Sequence, residues 1–459
     1  MANTSNRASF YEAAPRLANG HHLFEDGPLP TANNLEAFRA NPVELAAAEG
    51  ALSALGLTPV ARNDFTITVS VDAMRPTASF GVASMGDATC LRLGDPASDV
   101  LVGGLAALAP SEFSTLPPLP PPAGYFHLRA PGDLQVVLNG VNAAAAGWTG
   151  CGTHVAVVDS GCYVEHPFFR QRNAEITVVL GPGASDPDVD TLGHGTMICG
   201  NIVSIAPRAR VTMIKTTDDA SLAAFKQAVA LKPRPDVIQN AWGNPSDGSI
   251  VAAYDRAVQA AVLDAIAKGC VVVFAAGNAK ILFPPQIPEA IGVGGAYINE
   301  QGQIIASTYA SGYRSVVFDG RIVPDFCGLV GPWPAGVYIA LPTAPGSIID
   351  SYSAERRFPD GDDGFPDDGW VVISGTSAAS AQVSGTVALL RQVDRKLNQA
   401  AVKEMLARTA FKVDIGTSAQ GSPSGPPYPN LATGFGLIDI GRAIEALEAD
   451  HAAKRPRAD

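Results

Sequence analysis

Cysteine is scarce in this chain, with six residues among 459. Cys90, Cys151, Cys162, Cys199, Cys270 and Cys327 are too scattered for a disulfide scaffold, and none shows the C-x-x-C spacing of a zinc or dithiol redox site. Cys151 and Cys162 flank a short apolar run whose extended length of roughly 20 Å far exceeds the about 7 Å that a bridged pair allows. They are expected not to pair, and Cys199 is expected to be a small buried core residue. Long apolar runs are missing too. No stretch approaches the roughly 18 apolar residues of a membrane span. Met1 to Asn19 has neither a basic flank with an apolar core nor a small-residue cleavage site, so no secretory leader is expected. The expectation is a cytoplasmic chain with no membrane partner. Positive charge is also short: 32 Lys and Arg stand against 44 Asp and Glu, and a net charge of -12 repels phosphate backbones. Nucleic acid is excluded as a partner, and the basic Lys454-Arg455-Pro456-Arg457 reads as a solvated terminus. No internal repeat is visible.

What is present suffices for a large core, since 47% of residues are hydrophobic and 17% charged. Residues 1–30 are polar and irregular and are read as a flexible N-terminus. A compact α+β unit over 31–94 follows. In it Asn41-Pro42-Val43-Glu44 offers an N-cap, a proline at the first helical position and an early acid; Leu45, Ala48, Leu52 and Leu55 then recur at helical spacing up to Gly56. Phe65 to Val71 alternates apolar and polar residues, the pattern of a half-buried strand. Residues 95–132 form a connector with the proline-rich run Leu116 to Pro122. From 133 to 447 strands and helices alternate, which predicts a doubly wound α/β domain with a mostly parallel sheet. Predicted strands include His154 to Val158, Val211 to Lys215, Val237 to Trp242 and Val271 to Ala276, and a long helix is predicted over Ser380 to Asp394. Residues 448–459 are left as a charged tail.

Three short motifs carry the chemistry. Asp159-Ser160-Gly161 ends a buried strand, Gly193-His194-Gly195-Thr196 lies 35 residues on, and Ser374-Gly375-Thr376-Ser377-Ala378 comes far downstream. A neutral serine hydroxyl needs a base within hydrogen-bond reach, and the base needs a partner that fixes its tautomer. Ser377, His194 and Asp159 supply those three roles. Asp…His…Ser is the chain order of the subtilisin type of triad. A further apolar strand, Val271 to Ala276, leads to Gly277-Asn278 with a side-chain amide at its tip.

With these segments the chain resembles the subtilases, serine peptidases of the subtilisin-like family, from about Asp133 to Leu447. The resemblance implies that Asp159, His194 and Ser377 form the triad and that Asn278 donates to the oxyanion. Related acid-acting sedolisins use Glu for His and Asp for Asn, so His194 and Asn278 imply action near neutral pH. It implies further that Asn240, Ala241, Trp242 and Gly243 line the substrate's backbone, where most members have a serine at the position of Ala241 and a leucine near Trp242. Trp242 then either reshapes a pocket or belongs to the core. Ala381-Gln382 replaces the usual Pro-His, which is expected to alter packing and leave the chemistry intact. The resemblance also implies that the unit at 31–94 holds the place of a propeptide, the chain's own inhibitor and folding assistant, with any maturation cut in the connector; the alternative is an unrelated accessory domain.

Tyr309 to Trp370 is an insertion-rich stretch ending in Asp360-Gly361-Asp362-Asp363-Gly364 and Asp367-Asp368. Clustered carboxylates are the donors that calcium prefers, but the spacing misses the EF-hand pattern. A solvated acidic loop is the reading taken, with no metal and no cofactor expected. The expected activity is that of a serine endopeptidase acting on an intracellular protein or peptide, active as His194 loses its proton. The alternative is a catalytically silent subtilase fold that binds peptides as a regulatory module.

Overall fold

The computed structural model describes residues 9–15, 23–24, 28–71, 83–84, 90–92, 102–107, 126–246, 252–332, 336–357 and 361–454. The main body is a nine-stranded sheet. Its order is Ile415–Gly416, Ile304–Ala306, Ile291–Ile298, Val271–Ala275, Val237–Asn240, His154–Asp159, Arg210–Lys215 and Ile176–Leu180, with Phe326–Leu329 also pairing along Ile291–Ile298. Every one of these pairings is parallel except that of Ile291–Ile298 with Ile304–Ala306. His154–Asp159, Val237–Asn240 and Val271–Ala275 are buried along their whole length, as continuous apolar runs in a helix-covered parallel sheet must be. The side chains divide between two cores. Val155, Val157, Val237 and Val273 face helices His194–Ile205 and Thr376–Val393, while Ala156, Val158, Ile238 and Val272 face Ser221–Ala230 and Ala253–Ala267. The doubly wound α/β arrangement expected from the alternation is the one observed.

The helix placed at Ser380 to Asp394 begins earlier, at Thr376, so Ser377 lies inside its first turn. At the other end the last helix, Ile440–Lys454, runs through part of the stretch read as a charged tail. Trp148 Nε1 to Glu448 (3.2 Å), Arg408 to Asp450 and His451 to Asp394 (3.0 Å) hold it down. The proline-rich run Leu116 to Pro122 lies outside the described residues.

The N-terminal unit is a six-stranded sheet in the order Thr58–Arg62, Ile67–Val71, Ser9–Pro15, Val102–Ala107, Cys90–Arg92 and Ala83–Ser84. Its limits differ from those read in the sequence. Ser9–Pro15, placed in a flexible terminus, is a central strand, and Val102–Ala107, placed in the connector, is its neighbour. Neither announces itself locally, because each acquires its hydrogen bonds from a partner distant in the chain. Helix Pro42–Ala54 forms where the capping signals put it, with the Asn41 side chain accepting from Val43 N at 2.9 Å. Leu45, Ala48 and Leu52 pack on Ala13, Ile67 and Val69. The strand read as half-buried is covered on both faces, since Thr66 and Thr68 are as inaccessible as Ile67 and Val69. Their polar face meets helix Ser221–Ala230. There Lys226 Nζ lies 2.5 Å from Glu12 Oε2 and 3.1 Å from Thr68 Oγ1, and Thr68 also bonds Glu12 Oε1.

Candidate active site

Asp159 is the last residue of its strand, at the C-terminal edge of the sheet where crevices form. Its Oδ1 accepts from Ser160 N at 2.8 Å and lies 2.8 Å from His194 Nδ1. The two side chains are 1% and 3% exposed. A carboxylate on Nδ1 makes that nitrogen the protonated one and leaves Nε2 as the basic atom. His194 opens helix His194–Ile205, and both flanking glycines are required by space. Gly193 has φ +87°, and a Cβ there would come within 2.3 Å of Thr343 Oγ1 and Ser347 Oγ. A Cβ on Gly195 would strike Gly161 O at 2.1 Å. Gly195 thus brings the histidine's helix onto the aspartate's loop, and Gly193 brings it onto Thr343 and Ser347.

Asp190 was not foreseen from the sequence. Its carboxylate accepts from Ser160 Oγ (2.8 Å), Gly193 N (3.0 Å), Thr196 N (2.9 Å) and Thr196 Oγ1 (2.7 Å), and it is buried. Ser160 Oγ in turn accepts from Gly195 N at 2.9 Å. The available signal was only an acid four residues before a helix-opening histidine, since the N-cap itself is Gly193. Burial disfavours the imidazolium of His194, but the charge and hydrogen bond of Asp159 and the charge of Asp190 outweigh it, so the histidine's pKa is raised above 6.5.

Ser377 is the second residue of helix Thr376–Val393, at its electropositive end. Asn278 is fixed beside it: Thr376 N and Thr376 Oγ1 both donate to Asn278 Oδ1 at 3.0 Å. An N–H can only donate, so the amide oxygen is the end facing Thr376, and Nδ2 lies over Gly375, 3.0 Å from where a Cβ would stand. His194, Asn278 and Ser377 line one small cavity of about 30 Å³, whose apolar wall includes Met197, Leu341 and Ile373. Gln382 is buried and bonds Leu329 N (2.7 Å), Leu329 O (3.1 Å) and Asn201 Oδ1 (3.1 Å), so this departure from the family pattern ties helix to sheet.

In the segment read as the substrate's backbone partner, the two larger side chains turn inward. Asn240 turns into the sheet, donating to Ile238 O (3.2 Å) and Val273 O (3.1 Å), and offers a substrate nothing but its backbone. Trp242 is a core residue, 1% exposed, with its ring 5.4 Å from Phe274 in an edge-on contact. An apolar ring at a strand end is drawn into the helix-covered core when the facing strand supplies another ring. Ala241 is 3% exposed and Gly243 carries no side chain. The insertion reaches the site from behind. Thr343 Oγ1 donates to Gly193 O (3.1 Å), and Ile348 N and Ile349 N donate to Thr191 O and Leu192 O (2.9 and 3.1 Å). Within its acidic part, Asp362 accepts from Gly364 N and Val372 N at 3.0 Å, and Asp368 accepts from Trp370 N at 2.8 Å. These carboxylates close turns.

A mostly parallel sheet whose edge carries an aspartate, a histidine at a helix start and a serine at a second helix start defines the subtilisin-like class of fold. Residues 150–436 match the subtilase family (Peptidase_S8), and the chain belongs to that family. It is 25% identical over 342 residues to Bacillopeptidase F of Bacillus subtilis (strain 168), covering 66% of this chain and 21% of that protein. Identity to subtilisin E of the same strain is 24% over 285 residues, or 58% of this chain and 62% of that one. Fervidolysin from Fervidobacterium pennivorans, a keratinolytic enzyme related to subtilisin, shares the fold with a TM-score of 0.58 at 16% identity, over 97% of this chain and 62% of its own. The matched region spans less than two thirds of each of these proteins.

Proposed function

We propose that this protein is a serine endopeptidase that cleaves peptide bonds through an acyl-enzyme on Ser377. The observation that carries the reading is the buried Asp159–His194 pair at 2.8 Å, whose histidine lines one cavity with Ser377 and Asn278. His194 Nε2 takes the Ser377 proton as Oγ bonds the carbonyl carbon, and the imidazolium is held by Asp159. Charge that develops on the carbonyl oxygen is met by Asn278 Nδ2 and by Ser377 N–H, a donor of the helix's first turn. His194 returns the proton to the leaving amine, and water attacks the acyl ester by the same path. The substrate is a protein or peptide. Cys151, Cys162, Cys199, Cys270 and Cys327 are thiols, chemistry that fits a reducing compartment and a substrate found inside the cell.

The N-terminal unit serves in this proposal as the enzyme's own inhibitor and folding template. The burial of Glu12 against Lys226 supports that role, because neither charge is tolerated there without the other.

The test is the intact mass of wild type, Ser377→Ala and Asn278→Ala after a fluorophosphonate probe, on full-length protein and on protein nicked between residues 107 and 126. A single adduct on wild type, none on Ser377→Ala, and labelling slowed by about 100-fold or more on Asn278→Ala are expected. The last figure corresponds to about 3 kcal/mol, the magnitude measured for one such donor in subtilisin itself. Folded wild type that takes no adduct in either form would overturn the proposal.

A further inference from the structure

The crevice beside the nucleophile already holds a side chain. Strands Val237–Asn240 and Val271–Ala275 run side by side with Asn240 opposite Phe274, and beyond their ends the chain continues as Ala241–Gly243 and Ala276–Asn278. The second segment is tied to the nucleophile's helix, since Gly277 N donates to Thr376 Oγ1 at 3.2 Å and Thr376 N donates to Asn278 Oδ1 at 3.0 Å. Gly243 and Gly277 present no side chains to the space between the two segments, and Leu282 fills what both leave. A Cβ on Gly243 would lie 3.1 Å from Leu282 Cδ1 and 3.2 Å from its Cβ; a Cβ on Gly277 would meet Lys280 O at 2.5 Å and would lie 3.2 Å from both Leu282 Cγ and Ser311 Oγ. Leu282 is 5% exposed.

Its position is fixed through the backbone. Pro245 and Leu282 form an antiparallel bridge, flanked by Phe283 N to Asn244 O and Ser246 N to Ile281 O, both at 2.9 Å. Tyr313 Oη accepts from Leu282 N at 3.3 Å and donates to Leu282 O at 3.1 Å. Moving the Leu282 backbone away from the crevice would break that set together.

A peptide carbonyl attacked by Ser377 and polarised by Asn278 Nδ2 sits at the mouth of this crevice. The residue that owns the carbonyl must then send its side chain into the gap between the outgoing segments, because ligands of such sheets enter at the strand ends and the side chains of an extended peptide alternate. Leu282 leaves little room there. The geometry points to Leu282 as the residue that sets acyl-side specificity: glycine, alanine or serine is accepted before the scissile bond, and large apolar or aromatic residues are rejected. This rests on Ser377 being the nucleophile of a peptidase.

The experiment measures kcat/KM of nicked wild type, Leu282→Val and Leu282→Ala on peptide anilides that differ only in the residue before the scissile bond, alanine or phenylalanine. Fluorophosphonate labelling of Ser377 is followed on the same samples. Wild type is expected to prefer alanine, and the Phe-to-Ala ratio is expected to rise by roughly tenfold or more in Leu282→Ala, with a smaller rise in Leu282→Val. Leu282→Val removes a single methylene and keeps the assignment testable where Leu282→Ala fails to fold. Wild type that cleaves the phenylalanine substrate as well as the alanine one overturns the assignment. So does an unchanged ratio in variants that label normally. Absence of both labelling and hydrolysis in every sample overturns the peptidase reading itself, and the specificity assignment with it.

Discussion

At His194 two opposing effects meet. Burial favours the neutral imidazole, while the carboxylates of Asp159 and Asp190 favour the imidazolium, and the second effect wins. Catalysis needs the neutral form, so the acid limb of kcat/KM should have its midpoint above pH 6.5. Asp190→Asn removes one of the two negative charges and is expected to move that limb to lower pH, with activity at high pH reduced because the amide NH2 faces donors that the carboxylate accepted from. A pH profile of both proteins checks this, and a limb that does not move would show that Asp190 acts only as a helix cap. The candidate residues Asp159, His194 and Ser377 were legible because each sits in a motif whose neighbours are small and whose order along the chain is distinctive. Asp190 was not, since an acid in a loop looks the same whether it is solvated or buried under four donors. Trp242 was undecided for a similar reason: its residue type suits a pocket and a core equally, and the ring of Phe274 on the next strand settles the matter.

Elements read well where their signals are local. Asn41, Pro42 and the spacing of Leu45, Ala48 and Leu52 specify the Pro42–Ala54 helix without help from the rest of the molecule. Strand Ile67–Val71 was found by its alternation, but its polar face was assigned to solvent. The face is covered because Glu12 and Lys226, 214 positions apart, bring opposite charges and a shared hydroxyl to it. Glu12→Gln leaves the Lys226 ammonium buried without its counter-charge and should destabilise the protein by about 3–5 kcal/mol. Replacing the pair together, Glu12→Leu with Lys226→Met, should recover most of that loss. Chemical denaturation of the three proteins gives the comparison, and equal stability of the single and double variants would mean that the pair is not coupled.

For the whole molecule the consequence is a buried core shared between the six-stranded and the nine-stranded sheets. Ala14, Phe24, Leu35 and Phe65 of the N-terminal unit share a core with Leu222, Phe225 and Val258 of the main body. Val102–Ala107 pairs within the first sheet and Leu128–Arg129 pairs with Ile339–Pro342 in the second part. Any cut that separates the two without breaking a sheet must therefore fall between Ala107 and Phe126. Mass spectrometry of purified wild type should place a maturation site there, and cleavage before Val102 would contradict it. No helix among the described residues is long and apolar enough to cross a membrane.

The sequence by itself determined the parallel α/β body, because buried strands flanked by helices leave continuous apolar runs that need no partner to be recognised. It also marked Asp159, His194, Ser377 and Asn278 as the candidate site, because glycine-flanked motifs and their order are local features of the chain. Only the tertiary structure decided where the N-terminal sheet begins and ends, how Asp190 bears on His194, and which side chain fills the crevice beside Ser377. Each of those depends on residues far apart in the chain meeting in a buried space, and neither period nor spacing along a sequence encodes such a meeting.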